Sequence, residues 1–246
     1  MNNKGSKMIL YAIIFLLLLP FLVLAVQLIF DKIKYDKTEY SKQTHASFLS
    51  VRFDKGKYGE YLTYNELKKI DGYKKFLFNC YIPKDDNKTT EIDLIMIHNT
   101  GLYIFESKNY SGWIFGSEFQ KNWTQTLPNG GKVQKEHFFN PIIQNKGHIK
   151  WITKYLSNET NLIYHSIIVF SNRCTLKKID LKTKESIVIK REDVITTIKK
   201  IINDSPNILS NNTIDQLYQK LFPLTQKTEI EKLQHIENIK NNYNIL

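Results

Sequence analysis

Two apolar runs in the stretch EIDLIMIHNTGLYIFESKNYSGW, residues 91–113, carry charges at their ends: Glu91 and Asp93 on the first, Glu106 and Lys108 on the second. Successive side chains of a strand point to opposite faces, so Glu106 and Lys108 share a face with Leu102 and Ile104. By the same alternation Asp93 shares one with Glu91, Ile95 and Ile97. The intervening Asn-Thr-Gly is a hairpin signal, and a hairpin brings Asp93 to Glu106 and Lys108 at one end of the sheet. Two carboxylates there form a hard oxygen site suited to Mg²⁺. An ammonium beside them can hold a phosphate oxygen or a water. The competing reading is a surface salt bridge at fraying strand ends.

Three further polar residues bear on this arrangement. In YGEYLTYNELKKI, residues 58–70, the spacing is helical, and Glu60 lies nearly two turns before Leu67, on the same side. An inward carboxylate is costly unless it is paired or bound to metal. The alternative is favourable placement of an acid in a first helical turn. In a second helical stretch, residues 140–156, Asn145, Ile149, Ile152 and Leu156 form the stripe expected to be buried, and Gln144 borders it. Gln144 could hold a phosphate, a water or a backbone group near the site. His148, one turn further on, reads as structural.

The elements that must position these residues follow in order. Helix 58–70 precedes a strand at 75–82 and a polar loop at 85–88. Strands at 92–98 and 102–108 follow, then a further hairpin from residues 112–116 and the Trp123 region, closing at PNGG (128–131). Helix 140–156, with Pro141 near its start, leads to strands at 162–170 and 186–190 and a helix at 192–202. The order α-β-β-β-α-β predicts an α/β domain with a mixed sheet.

Of the 246 residues, 42% are hydrophobic and 13% aromatic, enough for a buried core. Lys and Arg outnumber Asp and Glu 35 to 24, a net charge of +11. That balance favours polyanionic partners, nucleic acid or an anionic membrane surface, although biased codon usage produces the same composition. Two lone cysteines, Cys80 and Cys174, argue against a disulfide framework or structural zinc and fit a reducing compartment. Residues 8–30 contain no charge and exceed the roughly 20 residues a bilayer core requires. A cleaved signal peptide, with an apolar region of about 7–15 residues, is the rival. The longer run and the poor cleavage sequence VLAVQ favour a retained anchor in the cell membrane. Lys4 and Lys7 before the span, against Lys32, Lys34, Lys37 and Lys42 after it, place the C-terminal domain in the cytoplasm. Residues 1–7 form a short N-terminal tail and 31–54 read as a juxtamembrane linker. The globular domain runs over 55–224. The tail 225–246 has Ile230, Leu233, Ile236 and Ile239 at helical spacing and reads as a packing or self-association helix.

Asp93 and the triplet Glu106-Ser107-Lys108, after a helix bearing Glu60, resemble the PD-(D/E)XK nuclease superfamily. GEYL, TEIDLIMIHNTGLYIFESKNYSGWIFG, WTQ and FFNPIIQNKGHIKWI resemble more closely its NERD, or nuclease-related, domain, best over residues 55–160. The resemblance implies a restriction-endonuclease-like αβββαβ core and a Mg²⁺- or Mn²⁺-dependent phosphodiesterase acting on nucleic acid, DNA in preference to RNA. Carried over by position, Asp93 and Glu106 are metal ligands, with the Ser107 carbonyl contributing and Glu60 supporting the metal shell. Lys108 positions or activates the attacking water, and Gln144 contacts the substrate or orders the site. Ile92 stands where the superfamily name has a proline. The alternative is a membrane-tethered nucleic-acid-binding or interaction module without turnover, and a third possibility is a purely structural membrane scaffold.

Overall fold

A computed structural model describes the backbone of residues 3–86, 88–130, 132–157, 159 and 161–244. The chain divides into two compact units, residues 1–48 and 49–246. In the first, helix α1 (Asn3–Asp36) carries the apolar run with its side chains exposed. Its segment Lys7–Asp36 is long and apolar enough to cross a membrane, a test that a signal sequence near the N-terminus also passes. Helix α2 (Glu39–Thr44) is capped by Thr38, whose hydroxyl accepts from the Ser41 amide at 3.2 Å, and it ends on His45 in the left-handed region. The Tyr35 hydroxyl donates to the Ala46 carbonyl at 2.7 Å. Residues 31–54 are thus largely helical, with α3 (Phe48–Phe53) following; their mixed charge hides this order from a periodicity search.

The second unit opens on α4 (Lys55–Leu67), capped by the Asp54 carboxylate. Strands β1 (Lys74–Pro83), β2 (Thr89–His98), β3 (Gly101–Lys108), β4 (Gly112–Ser117), β5 (Asn122–Asn129) and β6 (Lys132–Phe139) come next. Helix α5 (Pro141–Tyr155), strands β7 (Tyr164–Phe170), β8 (Cys174–Asp180) and β9 (Ser186–Lys190), and helices α6 (Val194–Asp204), α7 (Asn211–Leu221) and α8 (Glu229–Asn244) complete it. The strands form two mixed sheets, β1-β2-β3-β7-β9 and β6-β5-β4-β8. In the first, β1, β2 and β3 are antiparallel neighbours, and β7 and β9 continue from β3 in parallel. The expected α/β architecture with an αβββαβ order is present. Two details differ. Strands β4 and β5 pair antiparallel as expected, but PNGG closes the next hairpin, β5 to β6, with residue 131 outside the described residues. Strand β8 and helix α7 add to the expected elements.

Both faces of the first sheet are covered. Leu77, Ile95, Ile97, Leu102 and Ile104 pack with Ile152 and Leu156 of α5 and with Ile214, Leu217 and Leu221 of α7. On the opposite face Tyr64 of α4 meets Phe76 and Phe78 edge-on at 5.2 and 5.1 Å. The second sheet joins the first through Trp123, stacked on Phe170 of β7 at 6.0 Å. Gly116 makes that seat, since a Cβ there would lie 2.2 Å from the indole.

Candidate active site

The β2–β3 hairpin sets the register of the site. Leu94 pairs with Phe105, and the same register carried one step further puts Asp93 opposite Glu106. There the ladder ends, because the Asp93 carboxylate itself accepts from the Ser107 amide at 3.1 Å. Glu106 and Lys108 lie on the face covered by α5, continuing the row of Leu102 and Ile104. The expected hairpin convergence is therefore present in the geometry.

Glu106 is buried, and each of its carboxylate oxygens has a partner. Oε1 lies 2.6 Å from Lys108 Nζ, and Oε2 lies 3.2 Å from His148 Nε2. Lys108 also donates to Gln144 Oε1 at 3.2 Å, so Gln144 is brought into the cluster. The other nitrogen of His148 lies 2.8 Å from the Thr90 hydroxyl. An ionised Glu106 requires Nε2 to be the donor in that contact. His148, read from the sequence as structural, thus touches Glu106 directly. Its position one turn after Gln144 on α5 was the signal available for this contact. Helix α5 is held against the strand by Asn145, whose amide donates to the Ile104 carbonyl at 2.9 Å and the Ser166 hydroxyl at 3.0 Å.

Burial, then the neighbouring Glu106 and Glu60 carboxylates, holds the Asp93 pKa well above the usual carboxylate range. Burial also opposes ionisation of Glu106, but Lys108 and His148 bring its pKa below the ordinary value. For Lys108 burial works against the charge, and the Glu106 and Asp93 carboxylates outweigh it, so the ammonium stays protonated. Glu60, half-buried on α4, acts on Asp93 through its charge, as its helical position predicts. Ser107 bonds toward α4, its hydroxyl 3.3 Å from that of Thr63.

Of the cluster, Asp93, Gln144 and His148 border a cleft of about 490 Å³, whose walls also include Glu91, Trp151 and His235. His235 comes from α8. Its Nδ1 lies 2.8 Å from the Thr89 hydroxyl, and its ring stands edge-on to Tyr81 at 5.2 Å. The C-terminal tail therefore builds part of the cleft wall, while its Ile230, Leu233 and Ile236 are exposed; the side chain of Ile239 lies outside the described residues.

Among the described residues, no three His, Cys, Asp or Glu side chains form a ready-made metal cage. Both oxygens of Glu106 are engaged, one by Lys108 and one by His148. The donor set still fits a hard divalent cation. Glu106 and Glu60 both act on Asp93 through their charge, and a cation beside Asp93 would offset that repulsion, which adds to burial in raising its pKa.

The nuclease-related domain (NERD) family matches residues 55–171, from the start of α4 through β7. An uncharacterized protein of Bacillus anthracis is 33% identical over 192 residues, which cover 77% of this chain and 85% of the relative. The chain belongs to the nuclease-related domain family. No solved structure matches it. Membership suggests interaction with nucleic acid and, in general, use of a divalent metal.

Proposed function

We propose that this chain is a membrane-anchored, Mg²⁺- or Mn²⁺-dependent nuclease that hydrolyses phosphodiester bonds of nucleic acid, DNA in preference to RNA. The observation that carries the reading is the convergence of Asp93, Glu106, Lys108 and Gln144 at one strand end, beside an open cleft. Asp93 and Glu106 would hold the metal, with the Ser107 carbonyl and Glu60 in support. What the ion supplies there is Lewis-acid polarisation of a phosphoryl oxygen. Lys108, held by Glu106 and Gln144, has a third ammonium hydrogen to orient a water or a phosphoryl oxygen. In this reading Lys108 positions or activates the attacking water. Gln144 fixes the Lys108 rotamer through its carbonyl oxygen and keeps its amide hydrogens for substrate. His148 pins Glu106 from the other side. The apolar run at residues 8–30 supports a single-pass anchor in the cell membrane with the domain in the cytoplasm.

A second reading has its own observation. With both Glu106 oxygens engaged, the same fold serves a tethered nucleic-acid-binding module without turnover. Calorimetric titration of Mg²⁺ and Mn²⁺ into the full chain in detergent separates the two. The nuclease reading requires binding by wild type and none by Asp93→Ala/Glu106→Ala. Nucleic-acid binding in EDTA, with no metal uptake and no product, supports the module.

A further inference from the structure

The chain has three arginines, Arg52, Arg173 and Arg191, from well-separated stretches of a sequence whose other basic residues are lysines. All three line one cavity of about 400 Å³, together with Lys55 and with no carboxylate in the lining. It forms where the parallel neighbours β3, β7 and β9 end, since Asn109, Ser171 and Arg191 directly follow those strands. The carboxyl ends of adjacent parallel strands are where open α/β sheets bind ligands.

The guanidinium of Arg191 is the informative group. The residue is only 8% exposed, and its donors reach the Thr63 hydroxyl at 3.4 Å and the Asn109 side-chain carbonyl at 3.5 Å, both long for hydrogen bonds. Arg173 donates to the Ser171 hydroxyl at 3.3 Å and the Asn109 backbone carbonyl at 2.9 Å. Arg52 lies over the Tyr58 ring at 4.8 Å. Among the described residues no carboxylate lies within 4.0 Å of any of the three, although Glu192, next to Arg191, pairs with Lys190. A buried guanidinium without a paired counter-charge is costly: burial, then the charge of Arg173, lowers the Arg191 pKa, and the more distant Glu66 offsets this only in part. An anion in the cavity would compensate it. The guanidinium fork matches phosphate in a way lysine does not, and exposed Phe53 with Tyr58 at the rim offers aromatic faces for a base.

We propose that this cavity is a nucleotide-phosphate subsite, with the phosphate on Arg191, Arg173 and Arg52 and the base against Phe53 and Tyr58. The ligand class rests on the nuclease reading above; the cavity and its unpaired arginines do not. Ser171 donates its amide to the Lys108 carbonyl at 3.0 Å, so the cavity and the Asp93 cleft adjoin the same end of β3. One strand crossing that end would place a flanking phosphate on the arginines.

The test is fluorescence anisotropy of a short single-stranded oligonucleotide with the full chain in detergent and EDTA. Arg52→Ala/Arg173→Ala, both exposed positions, and Arg191→Gln are compared with Lys135→Ala/Lys182→Ala, which leaves the cavity intact, and folding is checked by melting temperature. The proposal expects the arginine variants to bind about tenfold more weakly and the lysine variant to stay close to wild type. Competition by a nucleoside monophosphate, abolished in the arginine variants, would assign the subsite to free nucleotide as well as strand. Its absence would assign it to strand phosphate alone. Unchanged oligonucleotide affinity, or equal loss in the lysine variant, overturns the proposal. Loss confined to anionic-lipid vesicles also overturns it and gives the arginines to a membrane surface. Because EDTA suppresses cleavage, the outcome is read independently of whether the Asp93 cleft turns over.

Discussion

Asp93 and Glu106 are both buried carboxylates with opposite electrostatics. Ionised Glu106 is favoured by Lys108 and His148, whereas ionisation of Asp93 is opposed first by burial and then by the charges of Glu106 and Glu60. Asp93→Asn should therefore abolish cleavage while raising the melting temperature in metal-free buffer, since it removes the cost of ionising a buried carboxyl together with its repulsion by Glu106 and Glu60. A lower melting temperature would mean that the Ser107 amide bond, not repulsion, dominates there. Glu118 is the contrasting structural carboxylate. The Thr183 hydroxyl and amide, then Lys146 and the Lys182 amide, depress its pKa to about 2. An unfolded glutamate titrates near 4.3, so this stabilisation is complete above that value and is lost as the pH falls from there towards 2. The melting temperature of wild type should drop over that window more steeply than that of Glu118→Gln, and parallel curves would refute the assignment. Asp93, Glu106 and Lys108 were legible because strand alternation and a hairpin signal suffice to bring them together, while Gln144 was singled out by bordering the apolar stripe of its helix and Ser107 by the family resemblance. The contacts of His148 and His235 were not, since each depends on how a distant helix lands on the sheet.

Two positions show how elements hold the site. Gly59 lets α4 approach the end of β3, because a Cβ there would lie 2.7 Å from the Cβ of Asn109. Gly59→Ala should push α4 away, carrying the neighbouring Glu60 with it, so metal affinity and melting temperature should fall together. An unchanged affinity would remove Glu60 from the metal's surroundings. Asn140 caps α5 by accepting from the Ile142 amide at 2.9 Å, and its amide donates to the Gln120 carbonyl at 2.7 Å and the Glu118 carbonyl at 2.9 Å. Asn140→Ala should cost about 2 kcal/mol in denaturant unfolding, the sum of a lost cap and lost buried hydrogen bonds. The strands with apolar runs and the helix opening on Asn140-Pro141 were readable from the sequence. Strand β8, CTLKKID, was hidden because it is mostly exposed and lysine-rich, and α7 because its polar residues dilute a narrow apolar stripe. Residues 31–54 failed for a related reason: their order comes from caps and tyrosine contacts, not from a repeating apolar face.

For the whole molecule, the excess of basic residues gives a net charge of +11 that no single site absorbs. Nucleic-acid affinity should fall steeply and linearly in log–log form as salt rises, because phosphate contacts release counterions. A flat salt dependence would show that the charge serves another purpose. The αβββαβ order and the strand-end cluster were visible in sequence, while the meeting of three arginines at one sheet edge exists only once the chain is folded.

The most direct test of the central claim is cleavage of a labelled DNA duplex and single strand by the full chain in detergent, with Mg²⁺ or Mn²⁺ against EDTA. A metal-dependent nuclease gives product from wild type only when metal is present, and none from Asp93→Ala or Glu106→Ala. Equal product from wild type and both variants, or none from a wild type that binds the DNA and the metal, would contradict it.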